Sequence, residues 1–340
     1  MKILVTGGLG YIGSHITVEL LDKNFSVIVV DNLINSKIDV LAKIKKITNN
    51  QRLEFFNIDI RDATQLEKIF IKIKIDCVIH CAGLKIIPES INKPSRYYDY
   101  NLNGTRNLCY IMDKHGVRNL IFSSSASVYD PDSNLPIKEL NKLLPYNVYG
   151  RTKLFSEYLL NDFKNTKKGW KIIALRYFNP VGAHSSGVIG ETPLLMPTNL
   201  LPIISLVAIG KLKKINVFGK NHNTKDGTAI RDFIHVVDLA KGHVKALDFV
   251  TNSQHDNYME IINLGSGKGY SVFEMIKTFE KITKVKIPYD IKPRREGDIS
   301  VSFADVSYAK NIIDWQTKLS LEEICSDQWN FMVKNRNYFV

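Results

Sequence analysis

The sequence predicts an α/β protein: a doubly wound parallel sheet followed by a smaller C-terminal α+β lobe. Three observations predict it. Short Val/Ile-rich runs alternate with stretches of helical spacing through the first half of the chain. The apolar runs do not alternate with polar residues, as expected of strands covered on both faces. After about Asn179 the pattern breaks into a Gly/Ser/Pro-rich loop and shorter elements.

The expected strands are Lys2–Thr6, Ser26–Val30, Leu53–Ile58, Asp76–Cys81, Asn119–Ser125 and Lys171–Tyr177. Helical patterns fall between them, at Tyr11–Leu21, Leu66–Ile73, Tyr98–Lys114 and Tyr149–Asp162. Strand and helix in alternation at this spacing imply parallel crossovers. Pro180-Val181-Gly182 opens the loop that runs to Pro197, and Phe233–Asp238 and Ile261–Leu264 read as later strands. The expected division is 1–180 for a first, nucleotide-binding domain and 181–340 for a second, with part of roughly 231–265 returning to the first.

Composition narrows the function classes. The chain has 340 residues, 44% hydrophobic and 24% charged, ordinary values for a globular protein. The longest apolar stretch, Leu200 to Ile209, is broken by Pro202 and is too short to span a bilayer. The N-terminal apolar run is too short for a signal peptide, so a cytoplasmic protein is expected. Cys77 and Cys81, four apart in one strand, lie about 13 Å from each other and cannot pair. With Cys109 and Cys325 they read as reduced structural thiols, and no Cys/His spacing suggests a metal. The net charge of +12 is scattered in short groups such as Lys211-Leu212-Lys213-Lys214, with no basic stripe. That argues against a nucleic-acid partner and fits attraction of a dianionic small molecule.

The first chemical signal is Gly7-Gly8-Leu9-Gly10-Tyr11-Ile12-Gly13, which satisfies Gly-x-Gly-x-x-Gly between an expected strand and an expected helix. Glycines there let the backbone approach a pyrophosphate, and the helix start supplies N–H groups and positive dipole. Asp31 ends the next strand about twenty residues on, where a carboxylate accepts the adenosine ribose hydroxyls. Asn32-Leu33-Ile34-Asn35-Ser36 contains no arginine for a 2′-phosphate, so NAD is expected rather than NADP.

Tyr149 and Lys153 are four apart, hence on one helix face. A nearby ammonium, together with the positive nicotinamide ring, is expected to favour tyrosinate and make Tyr149 a base. The chain also contains Tyr110 and Lys114 at the same spacing. Context separates the two pairs. Tyr149 opens its helix near the end of the buried strand that finishes in Ser123-Ser124-Ser125, at the edge of the sheet where ligands bind. Tyr110 lies late in its helix. Ser125 is the expected hydroxyl partner of Tyr149.

These residues, with several longer strings, resemble the extended short-chain dehydrogenase/reductases, and among them the UDP-glucose 4-epimerases. The strings are Val5-Thr6-Gly7-Gly8, Gly10-Tyr11-Ile12-Gly13-Ser14-His15, Ala82-Gly83-Leu84-Lys85 and Phe122-Ser123-Ser124-Ser125-Ala126. Later come Leu175-Arg176-Tyr177-Phe178-Asn179-Pro180, Val181-Gly182-Ala183-His184, Asp226-Gly227-Thr228, Arg231-Asp232, Ile234-His235 and Arg294-Arg295-Glu296-Gly297-Asp298.

The resemblance implies a Rossmann-type first domain and a UDP-sugar-binding second one. Tyr149 would take the proton of the sugar 4-hydroxyl while hydride leaves C4 for NAD. Lys153 would hold the nicotinamide ribose, and Ser125 would bond the sugar oxygen. The cofactor site would comprise Gly7, Gly10, Tyr11, Ile12, Gly13, Asp31, Asn32, Asn35, Ser36, Asp59, Ile60, Cys81, Ala82, Gly83, Lys85, Asn101, Ser125, Tyr149, Lys153 and Phe178. The UDP-sugar would meet Lys85, Ser125, Tyr149, Asn179, Asn199, Leu200, Asn216, Val217, Phe218, Arg231, Arg295, Asp298 and Ser302. UDP-galactose and UDP-glucose are the expected substrates, and a homodimer is the expected assembly.

Four positions depart from the family pattern: Cys81 for Phe, Ile86-Ile87-Pro88 for Ala-Val-Gly, Asp130-Pro131 for Gly-Asp, and Thr198 for Asn. Ser302 stands where a bulky tyrosine in the family is associated with exclusion of N-acetylated sugars, so activity on those sugars too is expected. A 4,6-dehydratase or decarboxylase on the same scaffold is the nearest rival. A dehydratase needs an acidic pair beside the catalytic hydroxyl, and this chain offers Ala126 and Ser127. A non-catalytic NAD-sensing protein would have no use for the matched Ser125, Tyr149 and Lys153.

Overall fold

Alternation of side chains along the first strand fixes the architecture. In β1 (Lys2–Thr6), Ile3 and Val5 face one layer and Leu4 the other, and all three are fully buried. A strand with two apolar faces needs a cover on each, and helices supply both. The computed structural model describes residues 1–192, 196–295 and 297–336. Glu296 of the Arg-Arg-Glu-Gly-Asp string lies outside the described residues.

The other strands are β2 (Ser26–Asp31), β3 (Leu53–Asn57), β4 (Cys77–His80), β5 (Asn119–Ser125) and β6 (Lys171–Tyr177). They pair in parallel in the order 3-2-1-4-5-6, and the strand Tyr258–Leu264 adds a seventh beside β6. This is the doubly wound parallel sheet expected from the sequence. One face carries the helices Tyr11–Asp22 and Val236–Asn252, packed through Ile16, Leu20, Leu239 and Val244. The other carries Ala63–Lys72 and Gly104–Lys114, packed through Leu66, Ile69, Leu108 and Met112.

A third apolar core lies among the helices Leu200–Ala208, Val272–Thr283 and Leu321–Lys334, centred on Ile204, Met275, Phe279 and Cys325. Two of these helices begin with complete capping boxes, Ser271 with Glu274 and Ser320 with Glu323. The parallel pair Ile215–Phe218 and Tyr289–Lys292 closes this lobe. Among the described residues no helix is long and apolar enough to cross a membrane. The four cysteines are free thiols; Cys77, Cys109 and Cys325 are buried, and Cys81 is half-buried.

Two expected elements differ. The strand expected at Phe233–Asp238 ends at His235, because the His235 imidazole accepts the Val237 N–H at 3.1 Å and starts a helix there. Asp238 then falls in the first turn of that helix, where a carboxylate favours the dipole. The helix expected at Tyr98–Lys114 opens with a π-helical stretch, Tyr98–Asn103, before its α-helical part.

The helix Val148–Thr166 is tied to the sheet by charge. Glu157 receives two bonds from Arg176 of β6, at 2.9 and 2.6 Å, and one from the Ser124 hydroxyl of β5 at 2.5 Å. Arg176 is 1% exposed and Glu157 3%. The remaining guanidinium nitrogen reaches the Glu139 carbonyl at 3.1 Å, and the whole group lies over the Tyr129 ring. No polar atom of the pair is left to water, the condition under which buried charge is tolerated.

Candidate active site

A long cleft runs along the C-terminal ends of the strands, where the strand order reverses between β1 and β4. Its floor begins at the glycine turn. A side chain at Gly13 would place its Cβ 2.1 Å from the Gly7 carbonyl, so only glycine lets the helix sit this close to β1. The helix starting at Tyr11 has Gly10 as its N-cap with no side-chain cap. Its first N–H groups are therefore not occupied by a capping side chain and suit a diphosphate.

Asp31, at the end of β2, is 8% exposed. Its carboxylate accepts from the Leu9 N–H at 3.1 Å, the Leu33 N–H at 2.9 Å and the Ser36 hydroxyl at 2.8 Å, which fixes its direction. Asn32 donates to Asp59 at 2.8 Å, and Arg61 grips Asp59 through two nitrogens. Burial pushes the Asp59 carboxyl up, but these donors outweigh it and bring it down to about 2. Gly7, Gly10, Tyr11, Ile12, Asn35, Ser36, Ile60, Cys81, Ala82, Gly83 and Lys85 line the same cleft.

Three of the expected cofactor residues make contacts with the scaffold or with each other's neighbours. Asn101 braces the turn at Leu84, bonding that residue's N–H at 2.8 Å and carbonyl at 3.0 Å, with its second amide hydrogen on Thr152. Phe178 packs against Val128, Tyr129, Leu154 and Ala304. The Ser125 hydroxyl faces the Tyr149 phenol, which lines the cleft.

Tyr149 comes to Ser125 through Gly150. Asn147 caps the helix by accepting the Gly150 N–H at 2.7 Å, and a Cβ on Gly150 would meet the Ser127 carbonyl at 2.3 Å. The helix start is thus pressed onto the end of β5. Burial pushes the Tyr149 phenol above its ordinary value, and the Ser125 hydroxyl facing it pulls it down. Lys153 donates to the Ser123 carbonyl at 2.7 Å, and its ammonium lies 6.0 Å from the Tyr149 ring centre. Burial brings Lys153 down to about 8. Without a ligand, desolvation of the Tyr149 phenol outweighs the Ser125 contact, so the tyrosinate expected beside the ammonium and the nicotinamide calls for the positive charge of both. Tyr110, the rival tyrosine, is 63% exposed, at the far side of its helix.

The expected UDP residues form a second group. Arg231 reaches Asp298 at 2.6 Å, Arg295 reaches the other oxygen of Asp298 at 3.6 Å, and the Arg295 guanidinium lies 4.9 Å above the Phe218 ring. Asn179 and Asn216 are exposed, whereas Leu200 is half-buried at the start of its helix. Val217 is 1% exposed in the core, which leaves only its main chain for a ligand. Ser302 is the register partner of Arg231 in a short parallel pair. Asn199 donates to Glu191 at 3.3 Å on the cleft wall.

Sequence reasoning missed Glu191, Tyr177 and Phe331, all on the cleft wall. Tyr177 ends a sheet strand, as Ser125 does, and that position was a usable signal. Glu191 and Phe331 sit in a loop and on a distant helix, and no local pattern marks them.

The chain matches the protein family described as GDP-mannose 4,6 dehydratase over residues 4–328. It is 48% identical over 337 residues to the UDP-glucose 4-epimerase of Bacillus subtilis (strain 168), covering 99% of this chain and 98% of that one. The chain belongs to the UDP-glucose 4-epimerase family. Its fold agrees with a crystal structure of the Bifidobacterium longum UDP-glucose 4-epimerase in complex with NAD+ and UDP, with TM-score 0.95, 45% identity and 100% of both chains covered. The Stenotrophomonas maltophila UDP-glucose-4-epimerase, solved with NAD and formylated UDP-arabinopyranose, gives TM-score 0.96 at 43% identity over 99% of each chain.

Lys153 makes the stability of this family member depend on pH. Its pKa falls from 10.5 to about 8 on folding, so between these values the unfolded chain holds more protons than the native one. Stability from this group therefore rises with pH across that window, and the cost of the buried charge is fully present below pH 8. We expect Lys153→Met to be more stable than wild type at pH 7 and to lose that advantage by pH 10, a relative change of up to roughly 3 kcal/mol. Urea unfolding at the two pH values measures it, and a pH-independent difference contradicts it.

Proposed function

We propose that this chain interconverts UDP-galactose and UDP-glucose through a 4-keto sugar, with NAD held throughout the cycle. The observation that carries the reading is the convergence of Tyr149, Ser125 and Lys153 at the end of β5, beside a glycine-built diphosphate cradle. When bound, NAD accepts hydride from the sugar C4 and later returns it. The residues present fit it: an uncapped helix start for the diphosphate, and a fixed Asp31 carboxylate for the ribose.

The remaining work belongs to this chain. Tyr149 accepts the proton of the 4-hydroxyl and gives it back on the return step, with Ser125 bonding the same sugar oxygen. Burial opposes the tyrosinate, so the base forms once positive charge is added beside it, as a bound NAD⁺ does. Lys153 holds the nicotinamide ribose. Arg231 and Arg295 take the UDP diphosphate, a task suited to planar guanidinium groups. Anchoring at UDP leaves the hexose free to present either face. The dehydratase rival lacks its acids, since Ser125 is followed by Ala126 and Ser127 in a short 3₁₀ turn.

Two lobes, 1–180 and 181–340, would divide the cofactor and sugar nucleotide between them, with Tyr258–Leu264 serving the first sheet. We also propose a homodimer. Half-buried Tyr98 stacks on Phe155 and Phe155 packs on Tyr158, and Phe155, Tyr158 and Ile91 are exposed. A second copy is the natural cover for exposed aromatic and aliphatic side chains such as these. Light scattering that gives a single-chain mass overturns this.

Tyr149→Phe is expected to keep bound NAD and lose about 10²–10⁴-fold in UDP-galactose turnover, while Tyr110→Phe changes little. Near-normal turnover by Tyr149→Phe places the base elsewhere. Net accumulation of free NADH with UDP-sugar would mark a dehydrogenase instead.

Ser302, beside Arg231 in register, leaves room where a phenol would meet an acetamido group. We therefore expect the protein to interconvert UDP-N-acetylglucosamine and UDP-N-acetylgalactosamine as well. Ser302→Tyr should suppress that activity selectively; a wild type inert toward N-acetylated sugars refutes the idea.

A further inference from the structure

A cleft that receives two diphosphates gains nothing from an additional buried carboxylate, yet Glu191 is one. Its side chain is 9% exposed and it lies on the cleft wall. Nothing in the function proposed above requires it. Burying a carboxylate is expensive unless it is paired, and repulsion from the ligands adds to the cost.

Its partners show what it does. The Glu191 carboxylate lies 2.5 Å from the Lys85 ammonium and accepts from Asn199 at 3.3 Å. Lys85 stands on the turn after β4, in the first sheet, while Glu191 belongs to the segment that begins at Gly182. The pair therefore bridges two separately built walls. The Lys85 ammonium also sits 5.5 Å above the Tyr11 ring, so the bridge passes over the start of the diphosphate-binding helix.

A second tie runs beside the first. The Tyr11 phenol donates to the Gly182 carbonyl at 2.6 Å. Burial, and then Glu191, push that phenol well above its ordinary value, so it stays a donor. Between these two ties the segment is backed by the C-terminal helix: Asn330 bonds the Ser185 carbonyl at 2.7 Å, Lys334 that of Ser186 at 2.8 Å, and Asn335 that of Gly187 at 2.8 Å. The segment is thus fixed from behind and latched in front at Glu191.

We infer that Glu191 is a positioning residue: its carboxylate holds Lys85 across the cleft and keeps the walls closed over the cofactor between turnovers. The inference rests on the NAD reading above. It gives that reading a means of retention, because a cofactor that returns hydride to the same sugar must not leave between the two steps.

The test is exchange of NAD in the purified holoenzyme. The protein is mixed with an excess of isotopically labelled NAD and desalted at intervals, for wild type, Glu191→Gln, Glu191→Asp, Lys85→Met and the Glu191→Gln/Lys85→Met double variant. Glu191→Gln and Lys85→Met should each speed exchange at least tenfold, with Glu191→Asp in between. The double variant should be no faster than the faster single one, because both remove the same bridge. The Lys85 side chain is 42% exposed, so Lys85→Met folds even if the buried substitution does not. Exchange within twofold of wild type in Lys85→Met or in Glu191→Gln, or effects that multiply in the double variant, overturns the inference alone. A wild type that neither carries nor takes up NAD overturns the cofactor reading and this inference with it.

Discussion

The Glu157–Arg176 ion pair is the contact on which the catalytic geometry rests. Glu157 lies one turn beyond Lys153 and two beyond Tyr149 on a single helix, and it is bonded to β5 and β6 at once. Rotation or sliding of that helix would break a buried ion pair, and stranding one member of such a pair costs about 3–5 kcal/mol. The far end of the helix start is fixed by Gly150 against Ser127. Register and depth are therefore set by two separate contacts, one electrostatic and one steric. The alignment of Tyr149 with Ser125 follows from both.

The cofactor cleft and the arginine group follow opposite electrostatic strategies. Where the cofactor binds, main-chain N–H groups and the carboxylates Asp31 and Asp59 dominate, and each carboxylate is held by donors that leave its direction no freedom. In the group proposed for UDP, Arg231 and Arg295 dominate, and Asp298 keeps the two guanidinium groups near each other. Between them lie a phenol raised by burial and an ammonium lowered by it. Each of those groups is biased toward its neutral form, so an added charge from a ligand has a large lever on both.

The parallel sheet was legible because buried strands need unbroken apolar runs, and β1 to β6 supply them. The sequence pointed to the glycine turn, Asp31 and Tyr149 with Lys153, which line one cleft, because their signals are local: a tight turn, a strand end, one helix face. Asn101 and Phe178 show the limit. Each is expected at the cofactor from the resemblance, and its side chain also braces the scaffold, which only the packing reveals. The strand that stopped at His235 shows another limit, since an imidazole serving as a helix cap looks, in sequence, like one more strand residue. Glu191 was invisible for the opposite reason. Its meaning depends on Lys85, more than a hundred positions away, and on nothing beside it.

The outermost strand of the first sheet, Tyr258–Leu264, comes from midway through the second half of the chain and pairs along all of β6, from Lys171 to Tyr177. Synthesis runs from the N-terminus, so β6 leaves the ribosome with one edge unpaired. Unpaired β edges with apolar faces invite pairing with other chains. The first sheet is finished only after some eighty further residues have emerged, while the helices Val272–Thr283 and Leu321–Lys334 of the second core are still to come. Closing so long a loop adds little entropy cost beyond a short one. It does make folding of the two lobes interdependent in time: the order of translation is not the order of assembly.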